Sequence, residues 1–177
     1  VVTIDRMWHV GRLDRLAHLA AGGRLKVVNH DLGTALTDDV IARLGPVDYL
    51  IHNAAESHVT RSFADPLGFI RSNVIGTLNI LEASRRLSLK KFVYVSTDEV
   101  FGSSDEKVHG VCDALQPTNP YAATKAGAEY LVGSYWRSFG VPVVVTRTSN
   151  VFGERQDPEK FVPSLVRRML RDEWVDI

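Results

Sequence analysis

Apolar and polar positions along the chain follow two periods in turn. Short runs rich in β-branched residues read as strands: Val1 to Ile4, Leu25 to Val28, Val47 to Ala55, Phe92 to Val95 and Val141 to Val145. Between them, apolar residues recur three or four positions apart, the period of a helix with one buried face. Leu13, Leu16, Ala17 and Ala20 predict a helix over Arg12 to Ala21, stopped by Gly22-Gly23. A short helix through Val40, Ile41 and Leu44 ends at Gly45-Pro46. The longest pattern, Phe63, Leu67, Ile70, Val74, Leu78 and Leu81, predicts a single helical face. Residues 103–119 read as a polar loop. Pro120 then opens a helix through Phe139 that Gly140 caps, and a last helix is expected from Pro158 past Leu170.

Strands alternating with helices at this spacing predict an α/β fold with a parallel, doubly wound sheet. The unbroken apolar run Phe92 to Val95 suits a strand buried on both faces. Residues 1–177 fit one domain, without repeat or linker. In such sheets ligands bind beyond the C-terminal ends of the strands.

Composition narrows the function. Apolar residues make up 45% and charged residues 24%, as in a globular protein. Lys plus Arg and Asp plus Glu both number 21, so no charge excess recommends nucleic acid or an anionic membrane as a partner. The single cysteine, Cys112, excludes an internal disulfide and a cysteine metal cluster. Val1 to Val10 does not read as a signal peptide, and no apolar run reaches the ~20 residues of a membrane span. The expectation is a soluble, cytoplasmic protein.

A dinucleotide-binding sheet begins with a strand and a Gly-rich turn, and an acid ~20 residues later takes the adenosine ribose. Asp5 stands where that acid belongs, but no Gly-rich fingerprint occurs in the sequence. The expectation is that the first strand and its phosphate loop are absent because the sequence starts late. The run Trp174 to Ile177 likewise reads as the start of something that continues.

Two clusters carry candidate chemistry. Tyr121 and Lys125 stand four apart on an expected helix, on one face. A nearby ammonium lowers a phenol's pKa, and such a tyrosine removes a hydroxyl proton while a hydride leaves the same carbon. Alone, the pair equally describes a solvated surface contact. Ser96-Thr97-Asp98-Glu99 follows directly on the buried strand, at the sheet edge where ligands bind. The plain alternative there is a helix cap followed by acids. Adjacent carboxylates in unlike environments supply one proton donor and one acceptor.

Ser96-Thr97-Asp98-Glu99-Val100-Phe101-Gly102 resembles the signature of dTDP-glucose 4,6-dehydratases, in the extended short-chain dehydrogenase/reductase (NAD-dependent epimerase/dehydratase) superfamily. His52 to Val59, Asn73 to Thr77, Asn119 to Lys125, Asn150 and Pro158 to Pro163 resemble further segments of that family. The resemblance implies a Rossmann-type sheet, incomplete at its N-terminus, with the substrate-binding part beginning at about 150–177. It implies NAD as cofactor and a nucleotide sugar as substrate. Tyr121 would be the base at the sugar C4 hydroxyl, with Lys125 lowering its pKa and holding the nicotinamide ribose, and Thr97 bonding the same oxygen. Glu99 would remove the C5 proton and Asp98 would protonate the departing C6 hydroxyl. Asp5 and Asp31-Leu32 would hold the adenosine end, with Asp5 favouring NAD over NADP, and Ala54, Ala55 and Ser96 would line the cofactor. Ser57, Arg61, Asn150, Glu159 and Lys160 would meet the sugar nucleotide. A homodimer through the helices around 66–87 and 120–139 is also implied.

Thr60 and Phe101 depart from residues that are often acidic and Tyr in the family. His58 and His109 have no metal-ligand spacing, so no metal is expected. The nearest rival is an epimerase or decarboxylase of the same superfamily, against which the Asp98-Glu99 pair argues. A non-catalytic NAD-binding protein would have no reason to keep Thr97, Asp98, Glu99, Tyr121 and Lys125 together.

Overall fold

The computed structural model describes residues 1–8, 11–103 and 108–175. Residues 104–107 of the expected loop, and Asp176 and Ile177 of the C-terminal run, lie outside the described residues. Five parallel strands form where the β-branched runs lie: β1 (Val2–Asp5), β2 (Lys26–Asn29), β3 (Tyr49–His52), β4 (Lys91–Thr97) and β5 (Val143–Thr148). Among the described residues, seven α-helical segments lie between and after them: α1 (Ala17–Ala21), α2 (Asp38–Leu44), α3 (Val59–Ala64), α4 (Pro66–Phe69), α5 (Gly76–Ser84), α6 (Pro120–Phe139) and α7 (Phe161–Met169). The expected doubly wound α/β architecture is present.

The sheet is in two parts. β1 pairs with β2 in the register Thr3↔Val27, and β4 pairs with β3 (Leu50↔Phe92) and with β5 (Tyr94↔Val145). Among the described residues, β1 and β3 share no ladder. Between them lies a cavity of about 310 Å³, lined by Val2 to Asp5 on one side and Tyr49 to Ala54 on the other. Consecutive residues line it, so backbone edges rather than sheet faces border it. The two parts are bridged by side chains: the Asn79 amide donates to Leu32 O at 2.7 Å, and the Arg6 guanidinium meets Glu56 at 2.5 Å.

The core joins β2 and α2 (Val28, Val40, Leu44) to α5, β4 and α6 (Leu81, Phe92, Val132). α6 runs its full expected length because both signals hold. Asn119 caps its start with Pro120 at the first position, and Gly140 ends it at φ +70°. The N-terminal helix is shorter than its pattern: Leu13–Leu16 form a 3-10 turn before α1, and neither piece buries a residue. The last helix begins at Phe161 rather than near Pro158.

The long helical stripe is a correction. Asp65 interrupts it and caps α4, accepting from Gly68 N at 2.9 Å. Ile70–Ile75 then form a π-turn leading into α5. The buried face is Phe69, Asn73, Thr77, Ile80, Leu81 and Ser84, while Phe63, Leu67 and Ile70 are exposed. In the first turns the stripe sits one residue off the buried face, a rotation of ~100° about a helix axis. Polar side chains take the inner positions because the fold gives each a partner. Asn73 Nδ2 donates to Thr124 Oγ1 at 2.9 Å, Thr77 Oγ1 to Asn73 O at 2.6 Å and Ser84 Oγ to Ile80 O at 2.7 Å.

Candidate active site

β4 delivers Ser96 and Thr97 to the C-terminal edge of the sheet and then breaks. Thr97 is extended and its hydroxyl accepts from Glu99 N at 3.3 Å, capping a 3-10 turn over Asp98–Phe101. Cap and acids therefore coexist in one short turn. Gly102, at φ +83°, closes it, and a Cβ there would stand 2.3 Å from Gln116 O. Gln116 N donates to Val100 O at 2.9 Å, which fastens the returning end of the loop onto the turn. The Thr97 hydroxyl also donates to Asp98 Oδ1 at 3.2 Å, leaving Asp98 exposed and Glu99 half-buried.

Tyr121 and Lys125 face this turn from the first turns of α6, both buried. Burial pushes the Tyr121 phenol's pKa up, contact with Thr97 works against that, and the Glu99 and Asp98 carboxylates add to the rise. Lys125 is bonded to the end of the strand. Its ammonium donates to Val95 O at 2.7 Å, 4.3 Å from the Tyr94 ring, because a buried ammonium takes the acceptor that the end of β4 presents. Burial lowers Lys125 to about 8, and Glu129, one turn on, opposes this. Glu129 is itself held by Arg147, with Nη2 at 2.7 Å from Oε2. Arg147 lies over the Phe101 ring, which stacks on His109 at 4.6 Å.

The second group lines a cleft of about 330 Å³ above β1 and β3, which takes in Asp5, Asp31, Leu32, Ala54, Ala55, Ser57, Arg61, Glu159 and Lys160. Asp5 Oδ1 accepts from Met7 N at 2.7 Å and Asp31 Oδ1 from Gly33 N at 2.8 Å, so both carboxylates are fixed by their own turns. The Leu32 side chain belongs to the core and its carbonyl is taken by Asn79. Lys160 Nζ reaches Ser57 Oγ at 3.3 Å. Asn150 stands apart, exposed just past β5 and outside the cleft lining. His58 and His109 are not part of any group of three metal-ligating side chains among the described residues.

Several residues at this edge were not singled out from sequence. Arg6 pairs with both Asp31 (3.5 Å) and Glu56 (2.5 Å), and Glu56 also faces Arg61 at 3.5 Å. Asn73 clamps the Glu56 backbone, accepting from Glu56 N at 2.8 Å and donating to Glu56 O at 2.9 Å. Asn119 Nδ2 donates to Glu99 Oε2 at 3.0 Å. Trp8, exposed, lines the cleft beside Asp5. An aromatic next to an acid and a base in a polar turn was the one available signal for Trp8.

A dinucleotide fits these residues. The Ser96 hydroxyl is buried at the sheet edge and has no hydrogen-bond partner, an atom placed to bond a ligand. Carboxylates stand at the ends of β1 and β2, and Ala54 and Ala55 leave the wall beside them open. The turn that would cradle a pyrophosphate is not in this sequence.

Comparison with known proteins agrees with this geometry. The model of the NAD dependent epimerase/dehydratase family matches residues 1–177. The chain is 36% identical over 188 residues to dTDP-D-glucose 4,6-dehydratase of Dictyostelium discoideum, covering 97% of this chain and 42% of that protein. DesIV, a dTDP-glucose 4,6-dehydratase from Streptomyces venezuelae solved with NAD bound, superposes with a TM-score of 0.88 at 37% identity, over 97% of this chain and 53% of that one. UDP-glucuronic acid 4-epimerase from Bacillus cereus, in complex with UDP-glucuronic acid and NAD, superposes at 0.87 with 28% identity, over 98% and 55%. The chain thus spans about half the length of these relatives, from 42% to 55%. With the match running from the first residue to the last, the chain belongs to the NAD dependent epimerase/dehydratase family.

Proposed function

We propose that the protein containing this chain is an NAD-dependent nucleotide-sugar 4,6-dehydratase, a lyase of the dTDP-glucose 4,6-dehydratase type. The observation that carries this is the placement of two carboxylates, Asp98 and Glu99, in the same turn as Thr97 and against Tyr121. Oxidation at one carbon needs only the tyrosine; elimination of water needs an acid and a base beside it. Bound NAD, held by Asp5, the backbone at Asp31-Leu32 and Lys125, would supply the hydride acceptor for C4 and, once reduced, the hydride source for C6.

Tyr121 takes the C4 hydroxyl proton, with Thr97 bonding the same oxygen. The ketone at C4 makes the C5 hydrogen acidic. Glu99 removes it, and Asp98, entering the step as the acid, gives a proton to the C6 hydroxyl, which leaves as water. The proton on Glu99 returns to C5 and the one left on Tyr121 passes back to Asp98 through solvent, so each side chain is restored and the balance is sugar to 4-keto-6-deoxy sugar plus water. Lys125 would turn from Val95 O toward the nicotinamide ribose, while Asp5 and the backbone at Asp31-Leu32 hold the adenosine. Ser57, Arg61, Glu159 and Lys160 would bind the nucleotide sugar, and Asn150 would have to approach from outside the cleft. A single cysteine and no disulfide suit a cytoplasmic setting.

The test is to offer the intact protein dTDP-, UDP-, GDP- and CDP-glucose with NAD and look for a 4-keto-6-deoxy product. Glu99→Gln should let bound NADH build up but block elimination and C5 exchange with deuterated water. Tyr121→Phe should stop both. An epimerised product without loss of water would put the epimerase reading ahead. Because a carboxylate accepts from the ribose 2′-hydroxyl and repels a 2′-phosphate, Asp5→Ala should narrow the preference for NAD over NADP. A preference unchanged in that variant, measured by titration, would remove Asp5 from the site.

A further inference from the structure

Asn119 makes two contacts with one amide. Its Oδ1 accepts from Ala122 N at 2.8 Å, capping α6, and its Nδ2 donates to Glu99 Oε2 at 3.0 Å. The two ends of the amide cannot be exchanged. A backbone N–H only donates, so the atom facing Ala122 is the oxygen, and the nitrogen must face the carboxylate. One residue therefore ties the first turn of the helix that carries Tyr121 and Lys125 to the carboxylate on the turn after β4. Glu99 has one oxygen engaged and its backbone N–H held by Thr97. Its other oxygen, Oε1, takes no part in that contact.

We propose that Asn119 is a positioning residue for elimination: it orients the Glu99 carboxylate, with one oxygen anchored and the other presented to the sugar. This rests on the reading of Glu99 as the C5 base. Asn119 touches no reacting atom. Its effect falls on one half of the reaction, since the oxidation at C4 runs through Tyr121. A cap whose only duty was to start α6 would affect both halves equally, because Tyr121 lies in the turn it caps.

The capping role and the positioning role separate by substitution. Asp and Ser cap a helix about as well as Asn; an Asp carboxylate has no proton to give Glu99, and the Ser hydroxyl, one bond nearer its own backbone, holds that carboxylate less well. Asn119→Asp also sets a second carboxylate beside Glu99, so the two share a proton. The titratable groups already facing Glu99 are Asp98 on its own turn and Tyr121 on α6. In the intact protein with dTDP-glucose and NAD, both variants should melt close to the parent; Asn119→Ser should form bound NADH at the parent's rate, and Asn119→Asp should lose less in NADH formation than in elimination. Asn119→Asp should move the acid limb of elimination up by about one pH unit, a loss of roughly tenfold on that limb. Asn119→Ser should slow C5 exchange with a smaller shift of that limb. Parental elimination at every pH in Asn119→Asp, or equal loss of NADH formation and elimination, would overturn the proposal. Glu99→Gln run alongside separates the failures. If that variant still dehydrates, the reading of Glu99 falls and this proposal with it. If it is blocked while Asn119→Asp behaves as parent, only the positioning role falls.

Discussion

The imidazole of His52 lies at the C-terminal end of β3, 3% exposed, between the rings of Phe92 and Tyr94. Its Nε2 is 2.9 Å from Thr77 Oγ1, whose one hydrogen goes to Asn73 O. Nε2 must therefore carry a proton. Burial, and then the charge of Lys125, lower its pKa from the ordinary 6.5 to about 3. The unfolded chain takes up a proton below 6.5 while the folded one does not, so stability falls with pH from 6.5 toward 3. The full slope is about 1.4 kcal/mol per pH unit. Denaturant unfolding at several pH values should find that slope, and His52→Gln should remove most of it whatever its effect at neutral pH. A slope that survives the substitution would place the acid-sensitive group elsewhere. At this scale the sequence was informative where chemistry is contiguous. Thr97, Asp98 and Glu99 are neighbours, and Tyr121 and Lys125 are one turn apart. Contacts such as Asn119 to Glu99, 20 residues away, or Asn73 to Thr124, 51 away, leave no local mark.

At the scale of elements, strands and the long helix α6 were legible because each carries period and punctuation together. The segment 59–84 was not, because its period belongs to two faces. The stripe Phe63, Leu67 and Ile70 is apolar yet exposed at 63%, 76% and 44%. We infer that this stripe is a protein interface. α3 and α4 pack on α6, which itself exposes Tyr130 and Trp136, and a two-fold contact would make such a face self-complementary. The intact protein should sediment as a dimer at micromolar concentration, and Leu67→Glu should shift it to monomer without unfolding it. A parent that stays monomeric would leave this face without the partner assigned to it. The turn that carries Asp98 and Glu99 makes a different demand. Its closing residue has positive φ and faces a carbonyl, so Gly102→Ala should cost about 1–3 kcal/mol. The same change should disturb Glu99 before Tyr121, read as lost C5 exchange with NADH formation retained.

Across the whole molecule, the residues proposed to hold the cofactor are divided between two half-sheets. Asp5 and Asp31 stand on the β1–β2 part; Ser96 and Thr97 stand on the β3–β4–β5 part, with Tyr121 and Lys125 on α6 beside it. The order of elements was legible from the sequence, and so was the lack of a Gly-rich turn. The side-chain bridges across the division were not, because Arg6 to Glu56 and Asn79 to Leu32 join residues 50 and 47 positions apart. If the facing edges of β1 and β3 are open in the 177-residue chain, their amides should exchange with deuterium much faster than those of β4, which is paired on both sides. Equal protection of β3 and β4 would mean that the edge is covered.

The space between β1 and β3 sets the spacing of the molecule's two binding halves. Neighbouring strands lie about 4.8 Å apart, so one extended segment laid parallel to both would hold the halves roughly two strand spacings apart. Narrower or wider packing would move the adenosine carboxylates relative to Tyr121, and a dinucleotide of fixed length would no longer reach both. If Asp5 and Tyr121 hold the two ends of one dinucleotide, the width of this space is what matches their separation to the ligand's length.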